Sequence, residues 1–491
     1  MNNVQFNTRQ SLPVLLQLLL LLLALVAATQ LLSFELNTAA GTVYTTFYGG
    51  YLRQTSDDLT RMARLNAISG DPLYRQYFDE VLAIRNGDMP RPLQYFEIPW
   101  WDIVLSTGER PTAPGETISL RDLLAENVPG EADLAPLFEA EDYSNALTAL
   151  EYEVMDQVAA LREATGGDYV LEGAALENML RLHGPEYHDG KERVMRPLME
   201  FAQNSRQQLS AYGREFFGLL ARNLVAVIVA VVLSLLLCLW TLWRRRGRRR
   251  QALMAGLQLL LLLLTVVTLA RLPVFNLGEF PELLNIATYA YRLRRTSDDL
   301  TRMARLNAIT GDPLYREYFD EVLAIRNGDL PRPEPYHEIP WWDIVLATGE
   351  RPSPPGEPVA MRQFFMDSGI AGEQLALLLE AEDQSNLLTE LEYEVMDNVA
   401  AYREAAGGDY ALEGEALDNM LRLHGEEYHQ AKEGIMRPLV ELTGSVWQRV
   451  EATVDRLLIE LPQSFALLVA AIALAFLSGV GVLLAQRDRS A

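Results

Sequence analysis

Residues 55–88 read TSDDLTRMARLNAISGDPLYRQYFDEVLAIRNGD, and residues 296–329 read TSDDLTRMARLNAITGDPLYREYFDEVLAIRNGD. The match extends over residues 55–111 and 296–352, where 50 of 57 positions are identical at a constant offset of 241. The register holds beyond that stretch: Trp100 falls on Trp341, Glu151 on Glu392, His188 on His429 and Pro197 on Pro438. Solenoid repeats are about 20 to 50 residues long and come in several copies. A unit of roughly 240 residues that occurs twice is instead a tandem of two whole domains.

Four apolar stretches punctuate the tandem, at residues 13–34, 223–243, 252–270 and 463–485. Each is close to the roughly 20 residues a helix needs to cross about 30 Å of hydrocarbon. Residues 18–23 and 259–264 are leucine throughout, apolar on every face, whereas a helix against a soluble core needs only one apolar face. The reading is four membrane spans, with the lipid bilayer as first partner.

Between the second and third spans, residues 244–251 carry six arginines, Arg244, Arg245, Arg246, Arg248, Arg249 and Arg250. Such a cluster beside membrane helices stays cytoplasmic. Residues 1–12 and 486–491 are then cytoplasmic too, in keeping with Arg9, Arg487 and Arg489, and residues 35–221 and 272–462 lie outside. Small residues at Ala24, Ala27 and Ala28 would suit a cleaved signal peptide, but one basic residue ahead and an unbroken run to Phe34 favour an uncleaved anchor.

The chain carries a net charge of −24 although its cytoplasmic segments are basic, so the outer domains are strongly acidic and repel nucleic acid. The arginine connector is too small for a nucleic-acid surface with groove-reading or stacking side chains. Cys238, the only cysteine, lies in the second span, which excludes an extracytoplasmic disulfide framework.

Outside the membrane, Gly and Pro fall between long segments of helical period, and the fold class is all-α: two repeated helical bundles, each flanked by two spans. Leu59, Met62, Asn66 and Ile68 form an approximate helical stripe after the first span. Ser69-Gly70 stops that helix and Asp71-Pro72 starts the next as N-cap and first-turn proline. A turn-rich loop at residues 86–92 delivers Tyr95, Phe96, Trp100 and Trp101. A long helix is expected over residues 140–164, closed by Gly166-Gly167, and a last one from Pro185 through Pro197, with a kink there, into the second span.

L-T-R-M-A-R-L-N-A-I-S-G-D-P-L-Y from Leu59, I-R-N-G-D-M-P-R-P from Ile84, the Trp100-Trp101-Asp102 triplet and Y-H-D-G-K-E-R-V-M-R-P-L from Tyr187 together carry a resemblance. They resemble the extracytoplasmic, four-helix-bundle-like sensor region of bacterial methyl-accepting chemotaxis proteins, sensor histidine kinases and diguanylate cyclases, twice over. That family usually has an aromatic at the place of Asn66 and Asn307, and Tyr-Trp-Asp for Trp-Trp-Asp. The resemblance implies a multi-pass protein of the bacterial inner membrane with periplasmic repeats. Sensors of this kind continue into an output domain, whereas the cytoplasmic segments here are too short to fold. The signal is therefore expected to pass to a separate signalling or membrane protein.

Candidate chemistry is sparse. The chain has no nucleophile elbow, phosphate-binding loop or zincin motif, so no catalytic residue, cofactor or enzymatic activity is assigned. His183 and His188 recur as His424 and His429, but a carboxylate-bridged metal site wants Glu-x-x-His, and Pro185 stands where Glu426 supplies that Glu in the second copy. Capping or surface histidines are the simpler reading, and no metal is assigned. Asp57 and Asp58 with Arg61 and Arg64 read most simply as charge pairing on a solvated face. The functional alternative is that Arg61, Arg64, Arg302 and Arg305 face an interface and grip a carboxylate, which the planar guanidinium matches. Tyr95, Trp100 and Trp101, with Tyr336, Trp341 and Trp342, either wall a pocket or fill a core. Asn66 and Asn307, amides on a core stripe, need hydrogen-bond partners and serve register or ligand.

A tandem of such domains can act as a covalent pseudo-dimer, because a short tether replaces free association by a local concentration in roughly the millimolar range. The leading expectation is a tandem sensor of a small extracytoplasmic solute; the alternative is a membrane scaffold that holds another membrane or periplasmic protein. A sensor predicts a pocket of roughly 300 Å³ or more. A scaffold predicts an exposed apolar patch beyond a few hundred Å².

Overall fold

The computed structural model describes residues 8–32, 36–96, 98–127, 131–244, 249–272, 280–333, 336–337 and 339–487. The first seven residues, the middle of the arginine connector at 245–248 and the tail at 488–491, all read above as cytoplasmic, lie outside the described residues. Among those described there are sixteen helices and no strand, only an isolated bridge between Pro92 and Pro114.

Local chemistry sets the helix ends. Helix α2 (Leu36–Ser69) stops at Gly70, whose φ of 66° is left-handed. The Asp71 side chain then accepts a hydrogen bond from the Leu73 amide at 2.9 Å, with Pro72 in the first turn, and α3 (Pro72–Asn86) begins. Gly87, at φ 77°, closes α3 by donating to Ala83 and Ile84 carbonyls. Then come α4 (Trp100–Thr107), α5 (Leu120–Asn127), α6 (Glu131–Ala164), α7 (Ala174–Leu180) and α8 (Pro185–Arg244). Helix α6 starts nine residues before the expected 140, through Pro136, and α8 runs unbroken through Pro197.

The second copy repeats this order as α10 (Phe280–Thr310), α11 (Pro313–Asn327), α12 (Trp341–Thr348), α13 (Met361–Asp367), α14 (Gly372–Ala405), α15 (Glu415–Leu421) and α16 (Glu426–Arg487). Asp312 and Gly328 cap α11 as Asp71 and Gly87 cap α3. In the first copy, Leu52 of α2, Leu124 of α5, Leu137 of α6 and Val194 and Phe201 of α8 meet in one apolar core. Arg85 of α3, 1% exposed, donates to Ser144 Oγ of α6 at 2.8 Å and also to Asn145.

The chain divides into two compact units. The paired unit comprises Gly41–Gln207 and Glu282–Val450, so the segments expected as two outer domains cluster together. The spanning unit comprises Met1–Ala40, Gln208–Pro281 and Glu451–Ala491. It holds four stretches long and apolar enough to cross a membrane: Leu12–Leu31 in α1 (Thr8–Leu32), Arg214–Trp243 in α8, Ala252–Ala270 in α9 (Arg249–Ala270), and the C-terminal part of α16. Ala24, Val227, Leu262 and Ile472, one from each, share its core. Within that core Gln17 donates to the Ser234 carbonyl at 2.9 Å, and Cys238 is a buried free thiol.

Two glycines separate the cost of a left-handed backbone from the cost of crowding. A Cβ at Gly87 would sit 2.5 Å from the Ser119 backbone nitrogen, whereas one at Gly166, φ 76°, would meet nothing within 4 Å. Gly166→Ala is expected to cost about 1 kcal/mol from strain alone, and Gly87→Ala at least about 1 kcal/mol more. Thermal unfolding of the two variants measures the difference.

Candidate functional site

Along α2, Asp57, Thr60, Arg61, Arg64 and Leu65 fall at i, i+3, i+4, i+7 and i+8, one face of a helix. That face is distinct from the buried stripe of Leu59 and Met62, and it lines a cavity of about 160 Å³. Helix α4 contributes Asp102 and Leu105, the turn before α8 contributes His183, and α8 contributes Tyr187, His188 and Lys191. Every one of these eleven residues has its counterpart 241 positions on, of the same type, in the same lining. The two copies together line one cavity.

Ion pairs tie the lining across the copies. Asp102 accepts from Arg61 at 2.7 Å and lies 3.5 Å from Arg294 of the other copy. Asp343 accepts from Arg302 at 2.7 Å and from Arg53 of the other copy at 3.2 Å. Burial works to raise the Asp343 carboxyl, but Arg302 and Arg53 outweigh it and hold it below its ordinary value. Lys191 pairs with Asp57 and Lys432 with Asp298, each at 2.8 Å. The solvated-face reading of Asp57, Asp58, Arg61 and Arg64 is thus corrected: Asp58 is 2% exposed, and Arg61 reaches to α4 rather than along its own helix.

Arg64 and Arg305 differ from the other cations. Arg64 donates twice to the Leu182 carbonyl, at 3.0 and 2.8 Å, and its guanidinium lies 5.1 Å from the Tyr187 ring. Arg305 does the same with Leu423 and Tyr428. Neither has a carboxylate within ion-pair distance among the described residues. Burial lowers the Arg64 guanidinium, and Arg302 and Arg305 lower it further, against the pull of Tyr187 and Glu151.

The histidines are neither capping nor surface groups. His183 is 5% exposed and His188 9%, and both line the cavity. Both ring nitrogens of His183 and His424, and Nε2 of His188 and His429, have no hydrogen-bond partner among the described residues. Burial, reinforced by Arg64, holds His188 down to about 4 and His183 well below its ordinary value. Behind them, Tyr187 bridges Thr60 Oγ1 at 2.7 Å and Glu151 Oε1 at 2.5 Å. Among the described residues no three His, Cys, Asp or Glu side chains are grouped to hold a metal ion.

The remaining sequence candidates lie elsewhere. Trp100, Trp101 and Tyr95 are buried, with Trp101 Nε1 donating to Tyr95 Oη at 2.7 Å, and they seat α4 without lining the cavity. Trp341, Trp342 and Tyr336 repeat this arrangement. Asn66 Nδ2 donates to the Asp71 carbonyl at 2.9 Å and Asn307 to Asp312 likewise, which pins α2 to the start of α3 and α10 to that of α11. Sequence reasoning missed Tyr187, Lys191, Thr60 and Asp102 with their counterparts, and set the histidines aside. The usable signal was in the less similar half of the repeat, where H-G-x-E-Y-H-x-x-K survives unchanged in both copies.

No protein-family model matches this chain, and neither a curated protein nor a solved structure matches it.

Asp58 and Asp299 sit behind the lining, and burial raises each to about 7, against the pull of nearby arginines. Between about pH 4 and 7 the folded chain keeps a proton that the unfolded chain has released, so stability falls as pH rises through that interval. Asp58→Asn is expected to raise the melting temperature at pH 8 by about 3 °C or more, with the gain gone by pH 4. Thermal unfolding of parent and variant across that range measures it.

Proposed function

We propose that the protein is a membrane-anchored tandem sensory module that binds a small extracytoplasmic carboxylate in the cavity shared by its two copies. The observation that supports this reading is the composition of that cavity, cation-rich and lined by both copies, with Arg64 and Arg305 lacking carboxylate partners among the described residues. Guanidinium groups out of water bind carboxylates strongly because the alternative is an uncompensated buried charge. At about 160 Å³ the cavity falls short of the roughly 300 Å³ expected of a sensor pocket, so the reading requires a ligand of few heavy atoms.

In this reading the two copies form an intramolecular pseudo-dimer about a pseudo-twofold normal to the membrane, the paired unit is periplasmic, and the membrane is a bacterial inner membrane. The resemblance to chemoreceptor and sensor-kinase input regions carries the same assignment. Helices α8 and α16 each contain residues of both units. A change in how the copies close on a ligand can therefore be passed along continuous helix to a separate membrane or cytoplasmic partner.

A single copy would expose its half of the cavity, so the test uses the whole chain in detergent. A small carboxylate that binds the folded state should raise the melting temperature by about 5 °C at a hundredfold excess over Kd. Arg64→Ala with Arg305→Ala should abolish the shift. A panel of amino acids, organic acids and sugars in which no acid shifts the folded chain would overturn the sensor in favour of a scaffold.

A further inference from the structure

The four imidazoles have no role in the reading above. They line the cavity, and both ring nitrogens of His183 and His424 and Nε2 of His188 and His429 lack hydrogen-bond partners among the described residues, which costs stability unless something meets them. His183 and His188 face Asp57, Thr60, Arg61 and Arg64 of α2, Asp102 of α4, and Tyr187 and Lys191 of α8, with Glu151 of α6 reached through Tyr187. From the other copy they face Asp298, Arg302 and Arg305 of α10, Asp343 of α12, and His424, Tyr428, His429 and Lys432. Asp102, Asp343, Asp57 and Asp298 are each already matched by an arginine or lysine. With neutral histidines, the charge left over in the lining itself is that of Arg64 and Arg305, with the buried Glu151 and Glu392 behind it.

We propose that the cavity takes one small dianion per chain, held between Arg64 and Arg305, and that binding is coupled to proton uptake by the imidazoles of His183, His188, His424 and His429. The proposal rests on the carboxylate-binding reading and adds to it a stoichiometry and a regulation by pH. The physical link is mutual. A dianion neutralises the guanidinium field that reinforces burial in keeping the imidazoles unprotonated, and it offers the orphaned ring nitrogens an acceptor. Both effects raise the proton affinity of the rings. By linkage, lower pH then tightens the anion, and a site facing the periplasm would read external acidity together with its ligand.

The test is calorimetric titration of the full chain with fumarate, and separately with sulfate, in buffers of different ionisation enthalpy between pH 6 and 8. The carboxylates of fumarate and sulfate itself stay ionised throughout, so any proton taken up belongs to the protein. The expected result is one anion per chain, an enthalpy that varies with the buffer, and a Kd that weakens by up to about tenfold per pH unit for each proton coupled. Binding of fumarate alone assigns the site to dicarboxylates, and binding of sulfate alone to inorganic dianions. A buffer-independent enthalpy with a flat Kd overturns the coupling and leaves the carboxylate reading intact, and two anions per chain overturn the shared dianion. No binding of either anion at any pH removes the proposal, while a thermal shift by some monocarboxylate would keep the sensor reading. In His183→Gln with His424→Gln, which keeps a donor but cannot titrate, the pH dependence of Kd and the buffer dependence of the enthalpy should both shrink. If that variant does not fold, His188→Gln with His429→Gln takes its place, because Asp58 and Asp299, raised to about 7, could also take up a proton in the buffer series; an unchanged pH dependence in the histidine variant overturns the assignment to the imidazoles.

Discussion

Two aspartates, Asp102 and Asp343, each accept an arginine from their own copy and lie against one from the other, and the paired unit is organised around them. Taking these charges out of water is costly, and the cost is offset only while every partner stays in place. Removing one aspartate would leave two guanidiniums facing a buried space. The constraint explains the tryptophans as well. Trp100 and Trp101 are almost fully buried, and by fixing α4 they set the aspartate that follows them against α2.

The same pairs decide what is left for a ligand. Once Arg61, Arg302, Lys191 and Lys432 are matched, Arg64 and Arg305 remain, held in place by backbone carbonyls and tyrosine rings. Those contacts orient a guanidinium without neutralising it. On the proposed reading, a cation kept in this way, beside imidazole nitrogens without partners, receives an anion that arrives from outside. Duplication within one chain gives the cavity two matching walls at fixed stoichiometry, whereas separate subunits would have to find each other.

The helices and spans were legible because they depend on local signals: leucine runs, Asp-Pro starts, left-handed glycines and helical spacing. The boundaries that moved were those set by packing, as at α6, which extends back to Glu131 because Leu137 is needed in the core. The arginines were recognised as candidates from their chemistry. Their partner Asp102 was not, since a contact 41 positions away leaves no periodic trace, and the cross-copy partner of Asp343 lies 290 positions off. The histidines were set aside on their spacing of five, which is poor for one helical face. They sit on either side of the Gly184 turn rather than on one helix, so that criterion did not apply to them.

The central claim is that the two copies of one chain close on each other, and a crosslink tests it most directly. Gln94 Nε2 of the first copy donates to the Gly444 carbonyl of the second at 3.3 Å. With Cys238→Ala to remove the only native thiol, cysteines at positions 94 and 444 should be joined by a short thiol crosslinker within a single chain. Mixed tagged and untagged chains should then give no hybrid product. Crosslinks found only between chains, or none in a folded protein, would contradict the shared cavity.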